Sequence, residues 1–208
     1  MNNTRLNKSN ILKETVNGIN QICITDELMN GRDIFLEAEV TTESMSDLMQ
    51  QLLYLEKDSP GTPINLYINS PGGSVSDGLA VYDLIQMMNS PITTICTGRA
   101  SSMGAILFLA ADKRLMLPHS EIMIHDASFG QADFAGLKPD EIEEKTKDLL
   151  DTCKTLRDIV ASRTGQSSKK VTEKMKKDSY FKASEAIDFG LATGVVENID
   201  MLIKKGDL

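Results

Sequence analysis

Two adjacent serines, Ser101 and Ser102, lie in the stretch TGRASSMGAILFLAAD, between a glycine and a Met-Gly pair. The almost uniformly apolar run that follows predicts a buried helix beginning at the serines. A serine at a helix start usually caps it, because its hydroxyl accepts a hydrogen bond from an unpaired backbone N–H. The same N–H groups, at the positive helix end, can stabilise the oxyanion that forms when a serine attacks a carbonyl. Each serine is therefore a candidate cap and a candidate nucleophile.

A serine nucleophile needs a general base, and the chain contains two histidines, His119 and His125. His119 lies in Pro-His-Ser, which is typical of a surface turn. His125 closes the apolar segment EIMI, where a strand gives way to a loop and catalytic groups gather. The alternative for His125 is a half-buried side chain bonded to backbone. Two histidines without a third ligand at suitable spacing do not predict a metal site.

An acid that orients the imidazole would complete such a site. Its position cannot be read from spacing, because triads assemble in space. Asp126, Asp133 and Asp178 are all candidates. Asp126 is the adjacent neighbour of His125, and neighbouring side chains on an extended chain project to opposite faces.

Alternating strands and helices are predicted around these side chains. Strands are predicted at 33–40, 64–69, 92–97, 113–117, 121–125 and 195–197, and we expect Gly98 to end the third of them. Helices are predicted after Thr41, Ser74, Ser102 and Lys138, with shorter ones near 168–177 and 183–189. This order favours parallel βαβ units and an α/β fold. The turns at 70–74 and 98–103 then lie where sites form in such sheets.

Composition narrows the class of protein. The 208 residues carry a formal net charge of −8, which argues against nucleic acid as a partner. No apolar run approaches 18 residues, so we expect no membrane partner. The polar start, MNNTRLNKSN, lacks the apolar core of a signal peptide, and residues 1–20 are expected to be mobile or ordered by a partner. Three widely spaced cysteines fit reduced thiols in the cytoplasm.

Four blocks occur in order over about residues 32–198: LYINSPGGSVSDGLAVYD, TICTGRASSMGA, LPHSEIMIH, and RTGQS with DSYFKASEAIDFGLATGVVE. Together they resemble the proteolytic subunits of the Clp protease family. The resemblance implies the ClpP/crotonase-like α/β fold of repeated β-β-α units with a protruding helix-strand handle. It implies a head at 32–125 and 178–208, a handle at about 126–177, and a partly mobile, axial-loop-like segment at 1–31.

The resemblance also implies roles for individual residues. The nucleophile is Ser102, directly before Met-Gly, the base is His125, and the acid is Asp178. The oxyanion donors are the backbone N–H groups of Gly73 and Met103. The implied activity is that of a serine endopeptidase, with acyl transfer to the serine followed by hydrolysis.

Assembly and partners follow from the same resemblance. Heptameric rings, paired into particles of fourteen subunits, enclose the sites. A separate AAA+ ATPase of the Clp type unfolds polypeptides and feeds them in. ATP is then the partner's ligand, and this chain, which contains no P-loop motif, is expected to need no cofactor.

Several positions depart from the family's pattern. Arg99 and Ser101 replace an uncharged residue and an alanine, and Asp-Ala follows His125 in place of Gln-Pro. The segment ASFGQADFAGLKPDE replaces a glycine-rich handle, and the amino end lacks an Ile-Pro signature. Lys177 stands where many relatives carry an arginine that helps to pair the rings, and lysine has no bidentate fork. We therefore expect retained chemistry and weak ring pairing.

Two other functions compete with the protease. The first is a weakly active or regulatory ring subunit that modulates an active ClpP paralogue. The second is a crotonase-type acyl-CoA enzyme, which shares the fold and needs no Ser-His-Asp set.

Overall fold

The computed structural model describes residues 9–16, 18–130 and 135–202. The strands are β1 Asn10–Thr15, β2 Gly18–Cys23, β3 Asp33–Leu36, β4 Ile64–Ser70, β5 Ile92–Ser101, β6 Lys113–Met116, β7 Glu121–Ile124, β8 Ser179–Lys182 and β9 Gly194–Val195. The helices are α1 Ile24–Asn30, α2 Thr42–Asp58, α3 Val75–Met87, α4 Met103–Leu109, α5 Pro139–Thr164, α6 Ser168–Met175 and α7 Ala183–Phe189, with a 3₁₀ turn at Ile199–Met201.

A seven-stranded sheet forms the centre of the molecule. Its main path runs β3-β4-β5-β6-β9, with β7 beside β5 and β8 beside β7. The pairs along the main path and the β5–β7 pair are parallel, and β7–β8 is antiparallel. The predicted α/β fold with a parallel sheet is confirmed.

Alternation along the strands explains where the core lies. Ile64, Leu66 and Ile68 of β4 are fully buried in the main cluster. Tyr67, between them, packs on the other face of the sheet against a small cluster that includes Ile95 and Leu115. Helix α4 is buried at every position, as its uniformly apolar sequence predicts. The turn that starts α4 is therefore anchored in the centre of the core.

Helix ends agree with the capping signals in the sequence. The Thr41 side chain accepts from the Ser44 N–H at the start of α2. Ser74 does the same for Asp77 at the start of α3. Gly165 ends α5 in the left-handed conformation, with φ of 72°, which glycine adopts without the Cβ penalty of other residues.

The expectation that Gly98 ends a strand is wrong. Strand β5 continues to Ser101, pairing with β6 over 93–96 and with β7 over 99–101. Its register against β4 shifts between Ile68 and Ser70, and a Cβ at Gly98 would lie 2.7 Å from Asn69 Oδ1. The glycine therefore marks a bulge where β5 changes partners.

Other boundaries differ from the prediction. Strand β3 ends at Leu36, although Val40 still forms an isolated bridge with Gly73, and β9 covers 194–195 in place of 195–197. The β1–β2 hairpin, α1 and β8 were not predicted. Within the expected mobile segment, residues 1–8 and 17 lie outside the described residues. The head and handle boundaries stay predictions.

Candidate active site

Sheet topology brings the ends of three strands together. The carboxyl ends of β4, β5 and β7 lie side by side, because β4 and β7 each pair in parallel with the last residues of β5. His125 directly follows β7. Strand β8 runs antiparallel to β7 with Ser179 opposite Ile124, so Asp178 lies opposite His125. Residues distant in the sequence thus meet at one edge.

Ser102 occupies the tight turn between β5 and α4. Its φ of 54° and ψ of −122° place it in a conformation that costs an L-residue about 1–3 kcal/mol. Its N–H donates to the Met123 carbonyl at 2.8 Å, which ties the turn to the end of β7. Its side chain makes no capping hydrogen bond with α4. The hydroxyl is therefore available for another partner.

That partner is His125. The Ser102 Oγ lies 2.7 Å from His125 Nε2, and His125 Nδ1 lies 3.0 Å from Asp178 Oδ1. With a neutral imidazole, both contacts are satisfied when Nδ1–H donates to the carboxylate and the serine hydroxyl donates to Nε2. This arrangement makes the serine proton transferable to a base whose tautomer is held by an acid.

The other candidates from the sequence lie elsewhere. The Asp126 carboxylate accepts two hydrogen bonds from Arg157, and Asp133 lies outside the described residues. His119 is exposed in a turn. Ser101 is the last residue of β5, in register with Met123, and its hydroxyl bonds to no other described residue. In the described part of the chain, Asp178 is thus the candidate acid that contacts His125.

The Pro-Gly-Gly turn after β4 packs directly against the Ser102 turn. A Cβ at Gly72 would lie 2.6 Å from the Ser101 carbonyl oxygen and 2.7 Å from Ser102 Cβ, so a side chain has no room there. Val40 holds the turn by donating to the Gly72 carbonyl and accepting from the Ser74 N–H, each at 2.8 Å. The close approach of the two turns therefore requires glycine.

The two predicted oxyanion donors lie in these turns. In the parallel bridge with Val40, the neighbours of Gly73 form the hydrogen bonds, and the Gly73 N–H has no acceptor among the described residues. The Met103 N–H, at the first turn of α4, likewise has none in the described ranges. Two unpaired N–H groups beside a serine hydroxyl can stabilise a tetrahedral oxyanion.

Solvent reaches the Ser102–His125–Asp178 cluster, and two nearby elements carry buried cysteines. The side chains of His125 and Asp178 are 28% and 55% exposed, so water reaches the carboxylate that orients the imidazole. Burial raises the pKa of the Cys96 thiol in β5 to about 11, and burial also raises the pKa of Cys153 in α5. These thiols stay protonated at neutral pH, so neither competes with Ser102 as a nucleophile.

Sequence reasoning missed the elements that support the site. Strand β8, which sets Asp178 opposite His125, has four residues, of which Phe181 alone is buried. So short an alternation is a weak signal, although the apolar Phe181 between Tyr180 and Lys182 fits a strand. Arg157 was missed because it projects from a long helix whose sequence shows only the buried stripe.

Comparison with known proteins matches residues 17–199 to the family described as Clp protease. The ATP-dependent Clp protease proteolytic subunit 1 of Chlamydia abortus is 41% identical over 175 residues, 83% of this chain and 90% of that protein. Subunits of the same name from Chlamydia caviae and Chlamydia muridarum are each 40% identical, over 86% and 85% of this chain and 94% and 92% of their own lengths. The chain belongs to the Clp protease family.

Membership in the Clp protease family confirms the resemblance seen in the four sequence blocks. The family is one of serine peptidases, so the prediction of a protease subunit is confirmed, and the regulatory alternative is not favoured. Within the described ranges, no helix is long and apolar enough to cross a membrane.

Proposed function

We propose that Ser102, His125 and Asp178 are the nucleophile, the general base and the orienting acid of a serine endopeptidase. The observation that carries the proposal is the chain of two hydrogen bonds, from Ser102 Oγ to His125 Nε2 at 2.7 Å and from His125 Nδ1 to Asp178 at 3.0 Å. The strained Ser102 backbone supports the same role, because strain of this kind gathers at active sites.

The geometry supports a two-step acyl transfer. His125 Nε2 takes the hydroxyl proton as Ser102 Oγ bonds to the scissile carbonyl carbon, and the oxyanion accepts from the Gly73 and Met103 N–H groups. When the intermediate collapses, the C–N bond breaks and the imidazolium gives its proton to the leaving amine. Water then repeats the sequence on the acyl-enzyme, releasing the acid and restoring the serine. Asp178 holds the Nδ1–H tautomer throughout.

We propose unfolded polypeptides as substrates, delivered by an AAA+ ATPase of the Clp type. The support is the name shared by the Chlamydia relatives, which are ATP-dependent Clp protease proteolytic subunits. ATP is then the partner's ligand, and the peptidase chemistry itself needs no cofactor. The three free cysteines support the reducing cytoplasm as the compartment.

We further propose that the chain assembles into heptameric rings, with the region around α5 acting as a handle between paired rings. Helix α5 is 26 residues long and buries Cys153, Leu156 and Val160 in its carboxyl-terminal half. Toward its amino end, Ile142 and Leu150 are 38% and 60% exposed, which fits contact with another subunit.

Two serine variants test the assignment of the nucleophile. Ser102→Ala should abolish both cleavage of a short fluorogenic peptide and labelling by a fluorophosphonate, with a loss of about 10⁶ in kcat. Ser101→Ala is the matched control and should keep most of both, because its hydroxyl bonds to no described residue. Full labelling of the Ser102→Ala protein would refute the assignment. Turnover of acyl-CoA without peptide cleavage would instead support the crotonase-type alternative.

A further inference from the structure

Helix α5 holds the chain immediately beyond His125. Arg157 donates from Nε to Asp126 Oδ1 at 2.8 Å and from Nη2 to Asp126 Oδ2, a bidentate pair. One turn earlier on the helix, the Cys153 thiol donates to the Ala127 carbonyl at 3.5 Å. On its other side, the Asp126 N–H donates to the Met175 carbonyl at 2.7 Å. The residue after the candidate base is thus fixed through both its backbone and its side chain.

The Asp126–Arg157 pair is partly shielded from solvent. The two side chains are 22% and 25% exposed, compared with 55% for Asp178. The hydrogen bond to Asp126 raises the pKa of Arg157, so the guanidinium is charged throughout the working range. Bidentate arginine–carboxylate pairs fix geometry as well as distance, since both N–H donors lie in one plane with the acceptor oxygens.

The position of Asp126 bears on the imidazole because the two residues share a peptide bond. Their side chains have different partners, since the His125 ring contacts Ser102 and Asp178 whereas the Asp126 carboxylate contacts Arg157. Asp126 therefore does not touch the reacting atoms, but its anchoring limits rotation of the backbone that carries the His125 ring. Asp178, the other restraint on that ring, is more than half exposed and is a weaker anchor in water.

We propose that Arg157 is a positioning residue that acts through Asp126 to hold the His125 imidazole in line with Ser102. This inference rests on the proposed function, because it assigns His125 as the base. Losing the bidentate pair leaves His125 held by Asp178, by the backbone of β7, and by the hydrogen bonds that the backbones of Asp126 and Ala127 still make with Met175 and Cys153. A displacement of about 1 Å in a catalytic group can cost 10²-fold in rate, and a partial displacement should cost about tenfold in kcat.

The test uses Arg157→Gln, Asp126→Asn and the double variant in the full chain. Each single variant should lower kcat on a short peptide about tenfold with little change in KM. If Arg157 acts through Asp126, the double variant should be no worse than the more damaged single variant, because both remove one interaction. Lys154→Gln is the matched control, since it breaks the exposed Lys154–Asp158 pair on the same helix and should leave kcat unchanged.

A second readout does not depend on activity. The chain has two histidines, so protein labelled with ¹³C-histidine gives two sets of ring signals, which a His119→Gln variant assigns. The His125 signal should shift or broaden in Arg157→Gln and Asp126→Asn. The His119 signal, from an exposed turn, should not change. Lys154→Gln should leave both signals as they are in the parent protein.

Two results would overturn the positioning role. One is a lower Tm in Arg157→Gln with unchanged kcat and an unchanged His125 signal, which would make the pair structural only. The other is additive losses in the double variant, which would mean that Arg157 acts by another route. If the parent protein fails to cleave peptides, the proposed function fails, while the His125 spectra still decide whether Arg157 positions the ring.

Discussion

Replacing Ser102 by glycine and by alanine separates the backbone strain at the proposed nucleophile from its chemistry, because both variants lack the hydroxyl. In the described part of the chain, Ser102 and Arg32 are the non-glycine residues with positive φ. An L-residue held in such a conformation costs about 1–3 kcal/mol, and glycine adopts it without the Cβ clash. This backbone conformation directs the Ser102 side chain away from the N–H groups of α4 and toward His125.

Two opposing effects set the size of the difference between the variants. Glycine is freer than alanine in the unfolded chain, which lowers its stability by about 0.4–1 kcal/mol. The relief of strain is larger, so we expect Ser102→Gly to be more stable than Ser102→Ala by about 0.5–2 kcal/mol. For a chain of this size, that difference corresponds to about 1–8 °C in Tm.

Thermal unfolding at equal protein concentration measures the difference, since association between subunits also shifts Tm. The neighbouring serine supplies the control. Ser101 has no positive φ and lies in β5, so Ser101→Gly should be less stable than Ser101→Ala by about 0.5–1 kcal/mol. The order of the two variants should therefore reverse between adjacent positions. An alanine variant at Ser102 as stable as the glycine variant would refute the reasoning.

Two further predictions concern the acids and the thiols. Asp178→Asn should lower kcat about 10³–10⁴-fold by favouring the wrong imidazole tautomer. Asp126→Asn should cost far less, and peptide assays on folded, equally assembled protein would contradict this if Asp126→Asn were the more damaging. Iodoacetamide at pH 8 should modify Cys23 first, because a hydrogen bond with Thr25 lowers its pKa. Cys96 should react last, because burial raises its pKa to about 11. Mass spectrometry after timed quenching gives the order, and early labelling of Cys96 in folded protein would show that the interior opens.

Local signals in the sequence predicted a structural feature correctly where that feature depends on a single helix or strand. The apolar run after Ser102 identified α4, and Gly165 marked the end of α5, because burial and capping depend on residues close in the chain. The positions of Ser102 before α4 and of His125 after β7 could be predicted on the same grounds. Their roles came from resemblance to the family.

Features that depend on distant partners could not be predicted in this way. Gly98 looked like the end of a strand because the exchange of β6 for β7 beside β5 is a tertiary event. The acid stayed open among three aspartates because Asp178 is 53 residues from His125 and reaches it through β8. The partner of Asp126 could not be predicted either, because Arg157 is 31 residues away in the sequence and meets Asp126 only in the folded chain.

The exchange of partners along β5 places the proposed catalytic residues in two parts of one sheet. Ser102 belongs to the central part, where β5 pairs with β4 and β6 and leads into the buried α4. The proposed base His125 and acid Asp178 adjoin the β7–β8 ribbon, which joins β5 over the three residue pairs from Arg99–Glu121 to Ser101–Met123. That ladder is short, but Ile122 and Ile124 of β7 are buried in the same core cluster as α4, so packing as well as pairing holds the ribbon in place. The alignment of Ser102 with His125 therefore depends on how β7 packs against β5 and the core, some distance from the reacting atoms themselves.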